Sequence, residues 1–249
     1  MADLNILANT QPQQNIVITG ASKGIGSALA EEFAAAGYRL LLGARNEADL
    51  KNLADELTKK YPQSTVLVKS VDMSLKPQVL AFASWCLSFG PPDILINNAG
   101  QFIPGSIHEE ADGLLEQMIA TNLYSAYHLT RALVTKMIER KTGHIFNICS
   151  IASIQPYANG GSYSISKFAM LGFNHNLREE LKPAGIKVTA VLPGAVYTAS
   201  WSGTGVDPQR IMEATDIAKM VYASSQLSCL LYTSPSPRDR TRSRMPSSA

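Results

Sequence analysis

The chain is poor in the features that mark several protein classes. It has three cysteines, Cys86, Cys149 and Cys229, without metal-ligand spacing and without an even framework. That excludes a disulfide-stapled scaffold and a structural zinc site, so no metal is expected. No apolar run reaches the roughly 18 residues of a membrane-spanning helix. The opening MADLNILANTQPQQ lacks the basic-then-apolar order of a secretory signal. Together these absences point to a reduced, cytoplasmic protein with no membrane partner. Neither sign of charge dominates, since the formal net charge is +2. Even that small excess is local. Arg238, Arg240, Arg242 and Arg244 stand against Asp239 in residues 229–249, a net +3, so the rest of the chain is net −1. A basic surface for nucleic acid is therefore not a property of residues 1–228.

What is present is alternation. NIVITG (15–20) reads as a buried strand, and helical periodicity follows through Ile25, Leu29, Phe33 and Ala36 until Gly37. Strands are predicted at 38–44, 64–71, 93–100, 143–150 and 185–194. Helices are predicted at 46–59 with Asn46 as cap, at 77–88, within 111–140, at 162–181 ended by Pro183 and Gly185, and at 215–227. Apolar strands alternating with helices imply an α/β fold, a doubly wound parallel sheet of the Rossmann type in a single domain. Residues 1–14 read as a polar lead-in, 15–228 as the domain, and 229–249 as a disordered tail.

The first strand runs into TGASKGIG (19–26). Gly20, Gly24 and Gly26 permit a tight turn and a close backbone approach to a pyrophosphate, and Ser22, Lys23 and Ile25 lie between them. The following helix would point its free N–H groups at that anion. Glycine-rich turns also serve as packing devices, so placement between the first strand and first helix carries the argument. A carboxylate after the second strand would favour NAD. Here that strand ends Gly43-Ala44-Arg45, and Arg45 with Lys23 suits a 2′-phosphate, so NADP(H) is the expected cofactor. Asp72, past the third strand, is placed to meet the adenine amino group. Asn98, Ala99 and Gly100, past the fourth, would lie beneath the cofactor.

A proton-handling set follows. Tyr163 and Lys167 stand four apart in YSISKF, on one face of a helix, and Ser150 ends the fifth strand. Nine tyrosines and twelve lysines in 249 residues give about 0.4 such pairs by chance. The pair alone therefore proves little, and its order after the phosphate loop and Ser150 gives it weight. A neighbouring cation, Lys167 plus an oxidised nicotinamide, would favour the Tyr163 phenolate and fit it for acid or base work near neutral pH. The four histidines, His108, His128, His144 and His175, fall outside this frame, and Cys149 reads as a small strand residue rather than a nucleophile.

TGASKGIG, NNAG (97–100), the Asn of TNLY (121–124), Ser150 with Tyr163 and Lys167, and PGAVYT (193–198) together resemble the short-chain dehydrogenase/reductase superfamily over about residues 15–226. The resemblance implies catalytic roles for four residues. Tyr163 would donate the proton, Ser150 orient the carbonyl, Lys167 bind the nicotinamide ribose, and Asn122 hold a relay water. It places Pro193, Gly194, Val196 and Thr198 against the nicotinamide amide. It further implies a homodimer or homotetramer, and a seventh strand beyond residue 228 that this chain is expected to lack. There, CLLYTSPSPRD (229–239) resembles a translated sequencing adapter. The substrate wall is expected from residues 151–157 and 197–208, which offer no cation for an anionic substrate. That favours a small or medium uncharged ketone or aldehyde, reduced to the alcohol. A non-catalytic nucleotide-sensing protein is the rival, and it should lack part of the four-residue relay, all of which is present.

Overall fold

The computed structural model describes residues 13–197 and 212–228. Six strands make one parallel sheet: β1 (Asn15–Thr19), β2 (Arg39–Ala44), β3 (Thr65–Ser70), β4 (Ile94–Asn97), β5 (Gly143–Ile148) and β6 (Ile186–Val191). Their spatial order is β3-β2-β1-β4-β5-β6, so the chain reverses direction across the sheet between β1 and β4. A ligand crevice is expected beyond the carboxyl ends of those two strands.

Period-two alternation divides the strand side chains between two cores. Ile16, Ile18, Leu40, Leu42, Ile96 and Phe146 face one side, where they meet α1 (Ile25–Ala35), α2 (Glu47–Lys60) and the last described helix. Val17, Leu41, Leu95, Ile145 and Val188 face the other. There they meet α3 (Lys76–Leu87), α5 (Ser125–Arg140) and α6 (Gly161–Leu181), the last two following a short α4 (Leu114–Ile119). Both faces are covered, which is why the strands read as continuous apolar runs.

The element boundaries follow local chemistry. The Asn46 side chain accepts from the Asp49 N–H and caps α2. Pro77 sits in the first turn of α3, where its missing N–H costs nothing. Gly37 and Gly185 take φ of 81° and 75° after their helices. β4 ends at Asn97, and the polar, small-residue stretch expected to close it, Asn98–Gly100, follows. Two features depart from the sequence expectation. The helical stretch after residue 111 is divided by a π-helical turn, Ala120–Tyr124. A two-stranded pair, β7 (Val196–Tyr197) with β8 (Met212–Glu213), precedes α7 (Ala214–Gln226). β6 has β5 as its partner, and among the described residues no seventh strand joins the sheet. No described helix is long and apolar enough to cross a membrane. The tail at 229–249 and most of the lead-in at 1–14 lie outside the described residues.

Candidate active site

The β1–α1 loop is shaped for a group that approaches the backbone. Gly20 and Gly24 adopt φ of 64° and 58°, a region costly for any side chain. A Cβ on Gly26 would overlap the Gly20 carbonyl oxygen and come within 2.7 Å of the Asn98 amide nitrogen. Helix α1 then starts with no side-chain cap and no acid in its first turn. Its N-terminal N–H groups and positive dipole end are thus left to an anion, and the chemistry of this cradle fits a pyrophosphate.

The loop is held against β4 by a small polar knot. The Thr19 hydroxyl accepts from the N–H groups of Asn98 and Ala99 at 3.0 and 2.9 Å. The Asn98 side chain returns two bonds, to the carbonyls of Thr19 and Gly20 at 2.9 and 3.1 Å. Asn98 therefore fixes the crevice wall as well as lining it. Thr19 was not singled out from the sequence; its signal was a polar residue at the end of an otherwise apolar strand.

At the adenosine end, Arg45 is exposed just after β2. Lys23 is also exposed, and it makes an ion pair with Asp49 of α2 at 2.9 Å. Asp72 caps its own turn, accepting from the Ser74 N–H and hydroxyl at 2.9 and 2.7 Å. Burial pushes its carboxyl up, but the Ser74 bonds and the Arg45 charge outweigh that, so it lies below its ordinary value. Ser22 lies within the loop and Ile25 opens α1, both half-buried.

The proton-handling residues converge from three elements. Ser150 lies two residues past β5 rather than within it. Its hydroxyl accepts from the Ala152 N–H at 3.1 Å and caps a 3₁₀ turn, Ile151–Ser153. It also lies near enough to the Tyr163 phenol to hold that group's value down. Lys167 is buried one turn along α6 and donates to the Ile148 carbonyl at 2.9 Å. Its ammonium sits 5.8 Å from the centre of the Tyr163 ring. Burial pulls Lys167 below its ordinary value. Tyr163 is raised, chiefly by burial, with the nearby Ser150 hydroxyl opposing. The phenolate-favouring shift expected from the sequence counted the charge of an oxidised nicotinamide together with Lys167, and the Lys167 ammonium addresses a backbone carbonyl rather than the phenol oxygen. A phenol held neutral is suited to giving a proton.

Asn122 lies in the π-helical turn and is buried. Its Oδ1 accepts from the Gln101 N–H at 2.8 Å, and its Nδ2 donates to the Gln101 carbonyl at 3.0 Å and the Ser166 hydroxyl at 2.9 Å. The side chain thus ties the β4–α4 segment to α6. Gly100 lies beside it: a Cβ there would come within 3.2 Å of Asn122 Oδ1 and 3.7 Å of Lys167 Nζ. Phe102, passed over in the sequence, sets its ring 4.9 Å from that of Tyr163, edge to face at 76°. Pro193 accepts from the Ile151 N–H at 2.9 Å, which places the 193–196 backbone, including exposed Gly194 and buried Val196, beside the Ser150 turn. Thr198 and the loop 198–208 lie outside the described residues. His144 is buried and neutral, pushed down to about 3 by burial, and the Cys149 thiol, beside Ser150, is pushed up to about 11. No cluster of His, Cys, Asp or Glu that could hold a metal occurs among the described residues.

A doubly wound sheet, an anion cradle at its switch point and a Ser–Tyr–Lys set at the same edge define a dinucleotide-dependent oxidoreductase. The comparisons agree. The family model for short chain dehydrogenases matches residues 14–207, and the chain belongs to that family. An uncharacterized oxidoreductase of Staphylococcus epidermidis is 31% identical over 212 residues, 84% of this chain and 90% of the relative. The crystal structure of L-sorbose reductase from Gluconobacter frateurii, complexed with NADPH and L-sorbose, is 30% identical with a TM-score of 0.79. It covers 84% of this chain and 88% of that one. A variant actinorhodin polyketide ketoreductase with NADPH is 28% identical, also at a TM-score of 0.79, covering 88% and 95%.

Proposed function

We propose that this chain is an NADPH-dependent reductase that turns a small or medium uncharged ketone or aldehyde into the alcohol. The observation that carries the reading is the buried Tyr163 phenol beside Ser150, placed at the sheet edge that bears the anion cradle. NADPH, when bound, supplies a hydride to the carbonyl carbon. The Ser150 hydroxyl orients the carbonyl oxygen. Tyr163 gives its phenolic proton to that oxygen as the carbonyl π bond opens, and the phenolate left behind regains a proton from water. The buried Lys167 ammonium, 5.8 Å from the centre of the Tyr163 ring, stabilises that phenolate while it lasts and would bind the nicotinamide ribose. Gly20, Ser22, Gly24, Ile25 and Gly26 hold the pyrophosphate. Arg45 and Lys23 take the 2′-phosphate and Asp72 the adenine, with Asn98, Ala99 and Gly100 beneath the cofactor. Pro193, Gly194, Val196 and Thr198 meet the nicotinamide end.

The two solved relatives support this by likeness. One holds NADPH with L-sorbose, a ketose, and the other is a ketoreductase with NADPH. Phe102, Ile151, Ile154 and Tyr157 present exposed apolar surface along the segments that flank Tyr163, which suits an uncharged substrate. We further take the protein to act in the cytoplasm as a homodimer or homotetramer. Exposed Tyr124 and Tyr127 at the start of α5, and Ile165 and Phe168 on α6, offer apolar helix faces for such contacts. Light scattering tests the assembly. A panel of ketones and aldehydes with NADPH, followed by loss of nicotinamide absorbance, tests the activity. A chain that binds NADPH tightly yet reduces none of the panel would leave the sensing rival standing.

A further inference from the structure

Helix α6 spans 21 residues and carries Tyr163 in its first turn, yet it begins with no capping side chain of its own and no acid in that turn. The anion its N-terminus calls for arrives from 52 residues upstream. Glu110 Oε1 accepts from the Ser162 N–H at 2.9 Å, and Oε2 accepts from the Ser162 hydroxyl. Ser162 is buried and directly precedes Tyr163. Glycines admit the carboxylate. A Cβ on Gly161 would overlap Glu110 Oε1, and one on Gly105 would come within 2.7 Å of Glu110 Cγ. Two more bonds join the same segments: Gly105 N–H to the Asn159 carbonyl at 3.0 Å, and the Ser106 hydroxyl to Asn159 Oδ1 at 2.8 Å. Asn159 adopts φ of 61°, a strained value that those partners hold in place.

The segment that brings Glu110 also brings Phe102 against the Tyr163 ring, and its Gln101 backbone is held by Asn122. The β4–α4 connection is thus fastened at both ends to the helix that bears the proton donor. We propose that Glu110 is a positioning residue: it caps α6 from a distance and fixes the first turn so that the Tyr163 phenol meets Ser150 on one side and Phe102 on the other. The assignment rests on Tyr163 being the proton donor of the proposed reduction. Glu110 acts through geometry. Its charge is not among the causes of the raised Tyr163 value.

The test uses the full 249-residue chain, with 9,10-phenanthrenequinone as the carbonyl probe and NADPH as reductant. Glu110→Ala should lower kcat by about 30-fold or more while the Kd for NADPH stays within about threefold, since a small misplacement of a reacting group is costly. Glu110→Gln, which keeps an acceptor for the Ser162 N–H, should restore kcat to within about fivefold of the parent. Ser162→Ala should fall between the two, and Glu110→Ala with Ser162→Ala should be no worse than Glu110→Ala alone. Retention of kcat in Glu110→Ala would overturn the proposal, as would an equal loss of NADPH affinity or no rescue by Gln. Amide exchange supplies a readout free of turnover: residues 161–166 should exchange about tenfold faster or more in Glu110→Ala, with α1 unchanged. Unchanged exchange overturns the clamp. Should Glu110→Ala not fold, Glu110→Gln and Ser162→Ala carry the same comparisons. If the parent reduces neither the probe nor any ketone or aldehyde of the panel, the reductase reading fails on its own and exchange alone judges Glu110.

Discussion

Lys167 directs its ammonium at the Ile148 carbonyl, 2.9 Å away at the end of β5, and stands 5.8 Å from the centre of the Tyr163 ring. The cation therefore anchors α6 to the strand that delivers Ser150, and its hydrogen bond goes to backbone rather than phenol. Burial then decides the resting state of Tyr163, which is the protonated one.

That geometry sets the first expectation. Tyr163→Phe keeps the ring against Phe102 and removes the proton. It should lower kcat by about 10³-fold, in the range typical of a lost general acid. NADPH affinity should change less than about twofold. The pH profile has a definite sign. The acid is active when protonated and its value is raised above the ordinary 10.0. NADPH-driven reduction should thus hold through neutral pH and decline only on the alkaline side, and the decline should vanish with Tyr163. Steady-state kinetics across pH decides it; unchanged turnover in Tyr163→Phe would remove Tyr163 from the mechanism.

Cofactor choice should rest unequally on the two cations. Lys23 already has a counter-ion in Asp49, whereas among the described residues Arg45 makes no ion pair and its charge is felt at Asp72. A 2′-phosphate must compete with Asp49 for Lys23. Arg45→Asp should therefore shift the NADPH-to-NADH ratio of kcat/KM by roughly tenfold or more, and Lys23→Ala by a smaller factor. Equal ratios in the parent and Arg45→Asp would show that Arg45 does not read the phosphate.

Much of this site could be read from the sequence because its parts are local. TGASKGIG is a contiguous segment in which Gly20 and Gly24 take positive φ and Gly26 leaves room for the Gly20 carbonyl, and Tyr163 and Lys167 are neighbours on one helix. The residues that were missed act across the chain. Glu110 and Ser162 are 52 positions apart, and Phe102 meets Tyr163 only after the sheet has formed. The π-helical turn at Asn122 leaves the apolar rhythm of its flanks nearly intact, so periodicity reads straight through it. The rise of the Tyr163 value comes chiefly from burial, which spacing cannot say.

Gly26 tests the anion cradle by sterics alone. A methyl there would strike the Gly20 carbonyl oxygen, a backbone atom with no room to move, and press on Asn98, which ties the loop to β4. Gly26→Ala should lower stability by about 1–3 kcal/mol, the usual cost of overpacking. It should also weaken NADPH binding by more than about tenfold, because the turn must open to accept the methyl. Calorimetric titration with NADPH checks the second effect, and denaturant melts check the first. Normal affinity in Gly26→Ala would mean the pyrophosphate does not use this turn.

His144 gives the fold an acid-sensitive point away from the site. Its ring is buried against Phe146, with Nε2 2.8 Å from the Thr189 hydroxyl. Burial first, then the Lys187 charge, push it down to about 3 from an ordinary 6.5. As pH falls below 6.5 the unfolded chain takes up this proton and the folded chain does not, so stability must fall with pH until about 3. Each pH unit in that window removes up to about 1.4 kcal/mol. Between pH 6.5 and 4.5 the loss should therefore approach about 2–3 kcal/mol. His144→Gln can keep the Thr189 contact without a titrating group, and it should flatten this part of the curve. Urea melts of the two chains at pH 7 and pH 4.5 make the comparison. The same slope in both would assign the acid sensitivity to other groups, whereas a flat response in His144→Gln alone would show that one buried imidazole sets the lower pH limit of the fold.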